Sequence, residues 1–212
     1  MARILITSGP TRQYLDPVRY LTNGSSGRMG LALAKAAAKL GHQPVVVSGP
    51  VSVVYPEMIE VIWVTSTEEM LEACQRIFPS CMGMIGAAAP CDYRPLRIEA
   101  HKIAKNGEPL TLQLVETPDV VATLGGSKRP DQWVVGFALE TDDQRFRAIT
   151  KLEKKSCDMI VLNGPTAMDA DGNAIELLDR TGHVRLALSG TKQEVADGIL
   201  QVVQNELIAP RC

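Results

Sequence analysis

The chain has 212 residues, 45% of them hydrophobic and 22% charged, with a net charge of −2. That length fits one large domain or one domain with an appendage, read here as a single domain over residues 1–212 with a sizeable core, and the charge supplies no strong field for nucleic acid or an anionic membrane surface. No apolar run approaches the ~18 residues of a membrane span, and the N-terminus lacks the pattern of a signal peptide.

Strand-like and helix-like segments then alternate along the chain. Ile4–Thr7 predicts a first strand, and Arg28–Leu40 predicts an alanine-rich amphipathic helix that Gly41 stops. A long polar loop joins them. Pro44–Ser48 and Glu60–Val64 read as strands, and Thr67–Phe78 as a helix opened by Ser66 or Thr67 with Glu69. Met82–Ala88 and Trp133–Ala138 are apolar, buried strands. Between them Leu110–Leu114 alternates apolar and polar, as a half-exposed strand does, and Pro118–Val121 reads as a helix start with Asp119 near its N-terminus. Asp143–Lys155 predicts a charged helix and Met159–Asn163 another buried strand. Glu176–Asp179 and Val184–Leu188 predict a hairpin around Arg180–His183, and Gln193–Leu207 a closing helix. Continuous apolar strands separated by helices predict an α/β protein: a Rossmann-like, doubly wound, mostly parallel sheet. The extra β elements are read as additions for dimer contact.

Several segments carry chemistry. Ser25, Ser26 and Gly27 fall where the first helix begins. The site suits either an ordinary serine N-cap or a phosphate held by unpaired N–H groups. Gly9 and Gly27 stand too far apart for a dinucleotide fingerprint, and strand 2 ends in Ser48-Gly49-Pro50 without a ribose-binding acid. An NAD(P) oxidoreductase is therefore a weak alternative. Ala88, Ala89 and Asp92 follow a buried strand, where ligands bind in doubly wound sheets; a turn capped by Asp92 would look the same. Lys151 and Lys155 share a helix face, either solvated or closing on an anion. Lys102 and Lys105 flank a loop. Phe137 suits either the core or a ring against a ligand, and Asn163-Gly164-Pro165 reads as a turn. Five scattered cysteines, Cys74, Cys81, Cys91, Cys157 and Cys212, form no C-x-x-C pair and read as reduced thiols in a cytoplasm. His42, His101 and His183 are far apart in sequence, so no metal cage is expected.

Taken in order, Gly9-x-Thr11, Asp16-Pro17-Val18-Arg19, Asn23-x-Ser25-Ser26-Gly27, Ala88-Ala89-x-x-Asp92, Lys102-Ile103, Gly136-Phe137-Ala138-x-Glu140-Thr141 and Asp158-x-Ile160-Val161-x-Asn163 resemble the phosphopantothenoylcysteine synthetase family. The resemblance covers essentially the whole chain. It implies a ligase of coenzyme A biosynthesis. In that family the carboxylate of 4′-phosphopantothenate attacks a nucleoside triphosphate, and the acyl-nucleotide then reacts with L-cysteine. By resemblance, Asn23 and Lys102 are catalytic. Arg19, Ala88, Ala89 and Asp92 bind substrate, with Arg19 donated across a homodimer. Gly9, Ser25, Gly27, Gly30, Pro118, Asp119, Val120, Val121, Phe137, Lys151, Lys155 and Asn163 contact the nucleotide. Mg²⁺ accompanies CTP or ATP, and paired Lys151 and Lys155 favour CTP. Two positions depart from the family pattern, Ala104 and Gly164. Many members are fused to a flavin decarboxylase. Nothing of that length precedes Met1, so a stand-alone ligase or an isolated domain is expected, with the decarboxylase as a separate partner. A non-catalytic nucleotide- or phosphometabolite-binding regulator on the same fold is the alternative.

Overall fold

The computed structural model describes residues 1–139, 144–163 and 172–209. β1 (Arg3–Ser8) leads into a small hairpin, β2 (Arg12–Tyr14) and β3 (Tyr20–Thr22), followed by α1 (Arg28–Lys39), β4 (Gln43–Ser48), β5 (Glu60–Trp63) and α2 (Thr67–Ile77). Then come β6 (Gly83–Gly86), the short β7 (Tyr93–Pro95) and β8 (Leu114–Glu116), α3 (Val120–Ser127), β9 (Trp133–Leu139), α4 (Gln144–Lys154) and β10 (Met159–Asn163). The hairpin β11 (Gly172–Asp179) and β12 (Val184–Thr191) precedes α5 (Lys192–Val203).

Eight strands form one sheet in the order β12-β11-β10-β9-β6-β1-β4-β5. The six from β10 to β5 are mutually parallel, and β11 and β12 extend the sheet as an antiparallel hairpin. The period-2 pattern of the strands sorts the core onto two faces. Ile4, Ile6, Val46, Val135 and Val161 pack under α1 and α5. Leu5, Val45, Val47, Met84, Val134 and Ile160 pack under α2, α3 and α4. This is the doubly wound α/β architecture predicted from the buried apolar strands.

Local chemistry explains most element ends. Gly41, at φ 80°, closes α1: its N–H donates to Ala38 O (3.0 Å) and that of His42 to Ala37 O (3.0 Å). Ser66 caps α2 by accepting from Glu69 N at 3.1 Å. Thr191 and Glu194 form a capping box on α5, which runs into a π-helical turn over Gln204–Ile208. Two expectations change. The alternating run Leu110–Leu114 is not a strand; β8 begins only at Leu114 and pairs with β7, because the residues before it have no partner strand across more than one bond, Leu96 N to Gln113 O. The long polar loop is not plain loop, since β2 and β3 pair within it, Gln13 opposite Leu21. Asp143, the expected start of α4, lies outside the described residues, as do Glu140, Thr141, Gly164 and Cys212.

The end of the sheet remote from the loops carries a titratable group. His42 Nδ1 accepts from Ala2 N at 3.3 Å, so the neutral ring bears its proton on Nε2. Burial, with the nearby α-amino group, pushes its pKa down, while the Gln204 side chain works the other way. The unfolded chain therefore binds a proton more readily than the folded one. His42 costs no stability above its ordinary ~6.5, and stability falls as pH drops from there to the lower folded value. Urea melts from about pH 7.5 to pH 5 should show this slope, and it should flatten in His42→Gln. An equal slope in both proteins would remove His42 as its source.

Candidate active site

The strand order reverses at β1: β4 and β5 lie to one side, β6 and β9 to the other. A crevice opens at such a switch point, beyond the carboxyl ends of the strands. Here it is a cleft of about 470 Å³ lined by Asn23–Gly30, Ala87–Pro90, Asp92, Phe137, Lys151, Asn163 and Lys192.

The floor is built for close backbone approach. Gly30 sits on the end of β1, where a Cβ would stand 2.2 Å from Ser8 Oγ. Ser8 Oγ donates to Gly27 O (3.3 Å) and accepts from Tyr55 OH (2.7 Å), which anchors the first turn of α1 from below. Gly27 itself is the N-cap, left-handed at φ 74°, with no side chain capping the helix. The serine N-cap left open by the sequence is thus not formed. An uncapped helix N-terminus presents N–H groups and a partial positive charge toward the cleft. Gly9 lies buried below this surface, its carbonyl accepting from Ala89 N at 2.9 Å.

One wall is the segment Ala88–Asp92. Asn23 Nδ2 donates to Pro90 O (2.8 Å) and Ala89 O (3.4 Å), tying the glycine-serine loop to it. Behind that wall stands a hydroxyl network. Thr11 Oγ1 accepts from Cys91 N (2.8 Å) and bonds Thr67 Oγ1 (2.8 Å), while Thr117 Oγ1 donates to Cys91 O (2.5 Å). Burial raises the Cys91 thiol pKa, so it is no ready nucleophile. The four cysteines among the described residues are all free and buried.

The structure therefore gathers Asn23, Ser25, Gly27, Gly30, Ala88, Ala89, Asp92, Phe137, Lys151 and Asn163 around one cleft. It does not bring every candidate there. Lys102 lines a second hollow of about 580 Å³ with Leu15, Leu96, His101, Ile103 and Leu112. Arg19, expected by resemblance to be donated across a homodimer, is held within its own chain: its Nε donates to Asp16 Oδ2 (2.9 Å) and its Nη2 to Ile103 O (2.7 Å). Asp119 is the N-cap of α3, accepting from Ala122 N at 2.9 Å, and Val120 is core. Val121 packs over Gly86 and Gly136, and Pro118 does not line the cleft. Lys155 does not converge with Lys151; its Nζ pairs with Asp119 Oδ2 at 3.0 Å. Burial pushes Asp119 up, but Ala122 N–H and the Lys155 charge outweigh it and hold its carboxyl low. Sequence reading missed Lys192, Arg28 and Met29 as lining residues. The Thr191-x-x-Glu194 capping box marks the start of α5, but nothing local says that this end meets the glycine loop.

Fold and cleft together define a Rossmann-like α/β protein with an anion-receptive site at its switch point. The model of the DNA/pantothenate metabolism flavoprotein C-terminal domain matches residues 1–207. The chain belongs to that family. The coenzyme A biosynthesis bifunctional protein CoaBC of Haemophilus influenzae is 37% identical over 204 residues, 95% of this chain and 51% of its own length. Its counterpart in Bacillus subtilis is 39% identical over 205 residues, 94% of this chain and 50% of its own. The chain thus spans about half the length of these relatives. A crystal structure of the C-terminal domain of a coenzyme A biosynthesis bifunctional protein CoaBC superimposes with a TM-score of 0.83 at 37% identity, covering 97% of this chain and 95% of that one.

Proposed function

We propose that this chain is a phosphopantothenate–cysteine ligase of coenzyme A biosynthesis. The observation that carries the reading is the meeting of the uncapped α1 N-terminus with Asn23, Ala88, Ala89 and Asp92 in one cleft. A carboxylate oxygen of 4′-phosphopantothenate attacks the α-phosphorus of the nucleotide, the bond to the β-phosphate oxygen breaks, and pyrophosphate leaves. The cysteine amine then attacks the acyl carbon, the acyl C–O bond breaks, the nucleoside monophosphate leaves, and the amine loses its proton. Phosphate oxygens rest on the Ser25–Gly30 turn, where backbone N–H groups and the helix charge favour them. Asn23, Ala88, Ala89 and Asp92 hold the acid, and Lys151 and Phe137 meet the nucleotide. Among the described residues no group of three His, Cys, Asp or Glu side chains is placed to hold a cation. Magnesium would enter with the triphosphate, on phosphate oxygens and water.

CTP is the expected nucleotide, through the family resemblance rather than through a lysine pair. Pyrophosphate release with 4′-phosphopantothenate should appear with CTP ahead of ATP, and the amide only when cysteine is added. A second reading, a nucleotide-binding regulator, draws on the placement of Lys102 in a different hollow from Asn23. Nucleotide binding with no pyrophosphate release would favour it over the ligase. A flavin decarboxylase is the expected partner enzyme, and the cytoplasm the expected compartment. No described helix is long and apolar enough to cross a membrane.

The ligase reading includes a twofold dimer. Leu96, Ile98, Leu110, Leu112 and Leu114 are exposed along the segment that carries Lys102, an apolar set suited to a second copy. In such a dimer Arg19 and Lys102 of one chain stand at the neighbour's cleft. Mixing Arg19→Ala with Asn23→Asp chains, each inactive alone, should then restore activity. The site owned by the Arg19→Ala chain keeps Asn23 and receives an intact Arg19, so about half the sites of a mixed dimer work. No recovery after proven subunit exchange would confine Arg19 to its own chain.

A further inference from the structure

Asp16 is completely buried and is used by nothing in the ligase chemistry above. Its Oδ1 accepts from Val18 N (2.8 Å) and Arg19 N (2.9 Å), which closes the turn between β2 and β3. Its Oδ2 accepts from Arg19 Nε (2.9 Å), Arg19 Nη2 and, from 87 positions along the chain, Ile103 N (3.1 Å). Arg19 Nη2 returns to Ile103 O at 2.7 Å. Both backbone polar groups of Ile103 are therefore held by one carboxylate–guanidinium pair. Glu99 N adds a bond to Leu15 O at 2.9 Å. Between Leu96 and Gln113 the chain has no regular secondary structure to fix it. Lys102 lies inside the stretch so clamped, next to Ile103.

We propose that Asp16 is a positioning residue that sets the place of Lys102, locking the Leu15–Arg19 turn and the Glu99–Ile103 segment into one unit. A lysine is a point charge on a flexible stem, so its reach is decided by where its backbone is held. Asp16 accepts five hydrogen bonds, and charge-assisted bonds to a buried carboxylate are the strong kind. Arg19 is the second half of the clamp, so the two cationic residues expected to act on substrate move together. The proposal rests on the ligase reading for its kinetic half and on geometry alone for its structural half.

Asp16→Asn, Lys102→Gln and the double variant test both halves. Amide hydrogen exchange reads the clamp directly. In Asp16→Asn, exchange at Ile103 and Glu99 should accelerate while amides of β1 and α1 keep their protection. Pyrophosphate release should fall roughly tenfold to a hundredfold in kcat, as for a misplaced catalytic group. In the Lys102→Gln background, the same Asp16→Asn change should cost clearly less than in the wild type, because one of the two residues it positions is gone. Unchanged exchange at Ile103 overturns the clamp. Independent, additive losses in the double variant overturn the action through Lys102. A wild-type protein that releases no pyrophosphate overturns the ligase reading and the kinetic half with it, while the exchange result still decides the clamp.

Discussion

Asn23→Asp should slow amide formation by roughly a hundredfold to a thousandfold, on the order of 3–4 kcal/mol of barrier, the scale for losing one donor to a developing negative charge. The structure adds a second reason. The side-chain amide donates to two carbonyls, Pro90 O at 2.8 Å and Ala89 O at 3.4 Å. A carboxylate in its place would set negative oxygen against both. The Ala88–Asp92 wall then loses its tie to the glycine-serine loop, and the acid substrate loses its seat. The side chain is only partly buried and lies outside the two core clusters, so thermal stability should change little. Rates of pyrophosphate release and of amide formation, measured separately, should diverge, with acyl-nucleotide accumulating. Turnover at the wild-type rate would remove Asn23 from the chemistry.

Asp158→Ala should strongly destabilise the fold from a position away from the cleft. The carboxylate sits at the foot of β10, accepting from Lys128 Nζ (2.6 Å) and Val134 N (2.8 Å) and pairing with Arg180 at 2.9 Å. The side chains of Lys128 and Asp158 are only 12% and 9% exposed. Alanine leaves a nearly buried ammonium without its counter-ion, held by Ser156 O alone (2.6 Å), and a strand N–H without an acceptor, a loss of about 3–5 kcal/mol for a broken buried pair. At ~2–4 °C per kcal/mol for a chain of this size, the melting temperature should drop by roughly 10 °C. Asp158→Asn keeps an acceptor for Val134 N–H and should lose less. A shift within a degree or two of wild type would mean that water replaces the carboxylate.

The buried strands and their helices were legible because their apolar runs have a single physical explanation: a sheet covered on both faces. Gly27 and Gly30 were placed beside the nucleotide by resemblance, and the cap was not legible, since a serine before a helix looks the same whether or not it caps. The failures share a cause. Asp16, Arg19 and Ile103 meet across more than 80 positions, and Lys155 turns to Asp119 over 36, so neither partnership leaves a periodic trace. Lys192 joins the cleft only because α5 packs on α1, a contact that the sequence of neither helix announces.

That last contact has a consequence for how the chain is made. The buried residues of α1, Ala32, Leu33, Ala34, Ala36 and Ala37, share one core cluster with α5, and Lys39 pairs with Asp197 at 2.8 Å across 158 positions. At roughly 5–20 residues per second of synthesis, α1 leaves the ribosome on the order of ten seconds or more before its cover. Throughout that interval the first helix offers bare apolar surface, and the wall that Lys192 adds to the cleft does not yet exist. Nascent chains arrested before α5 should therefore bind general chaperones, and release should come only with the final helix.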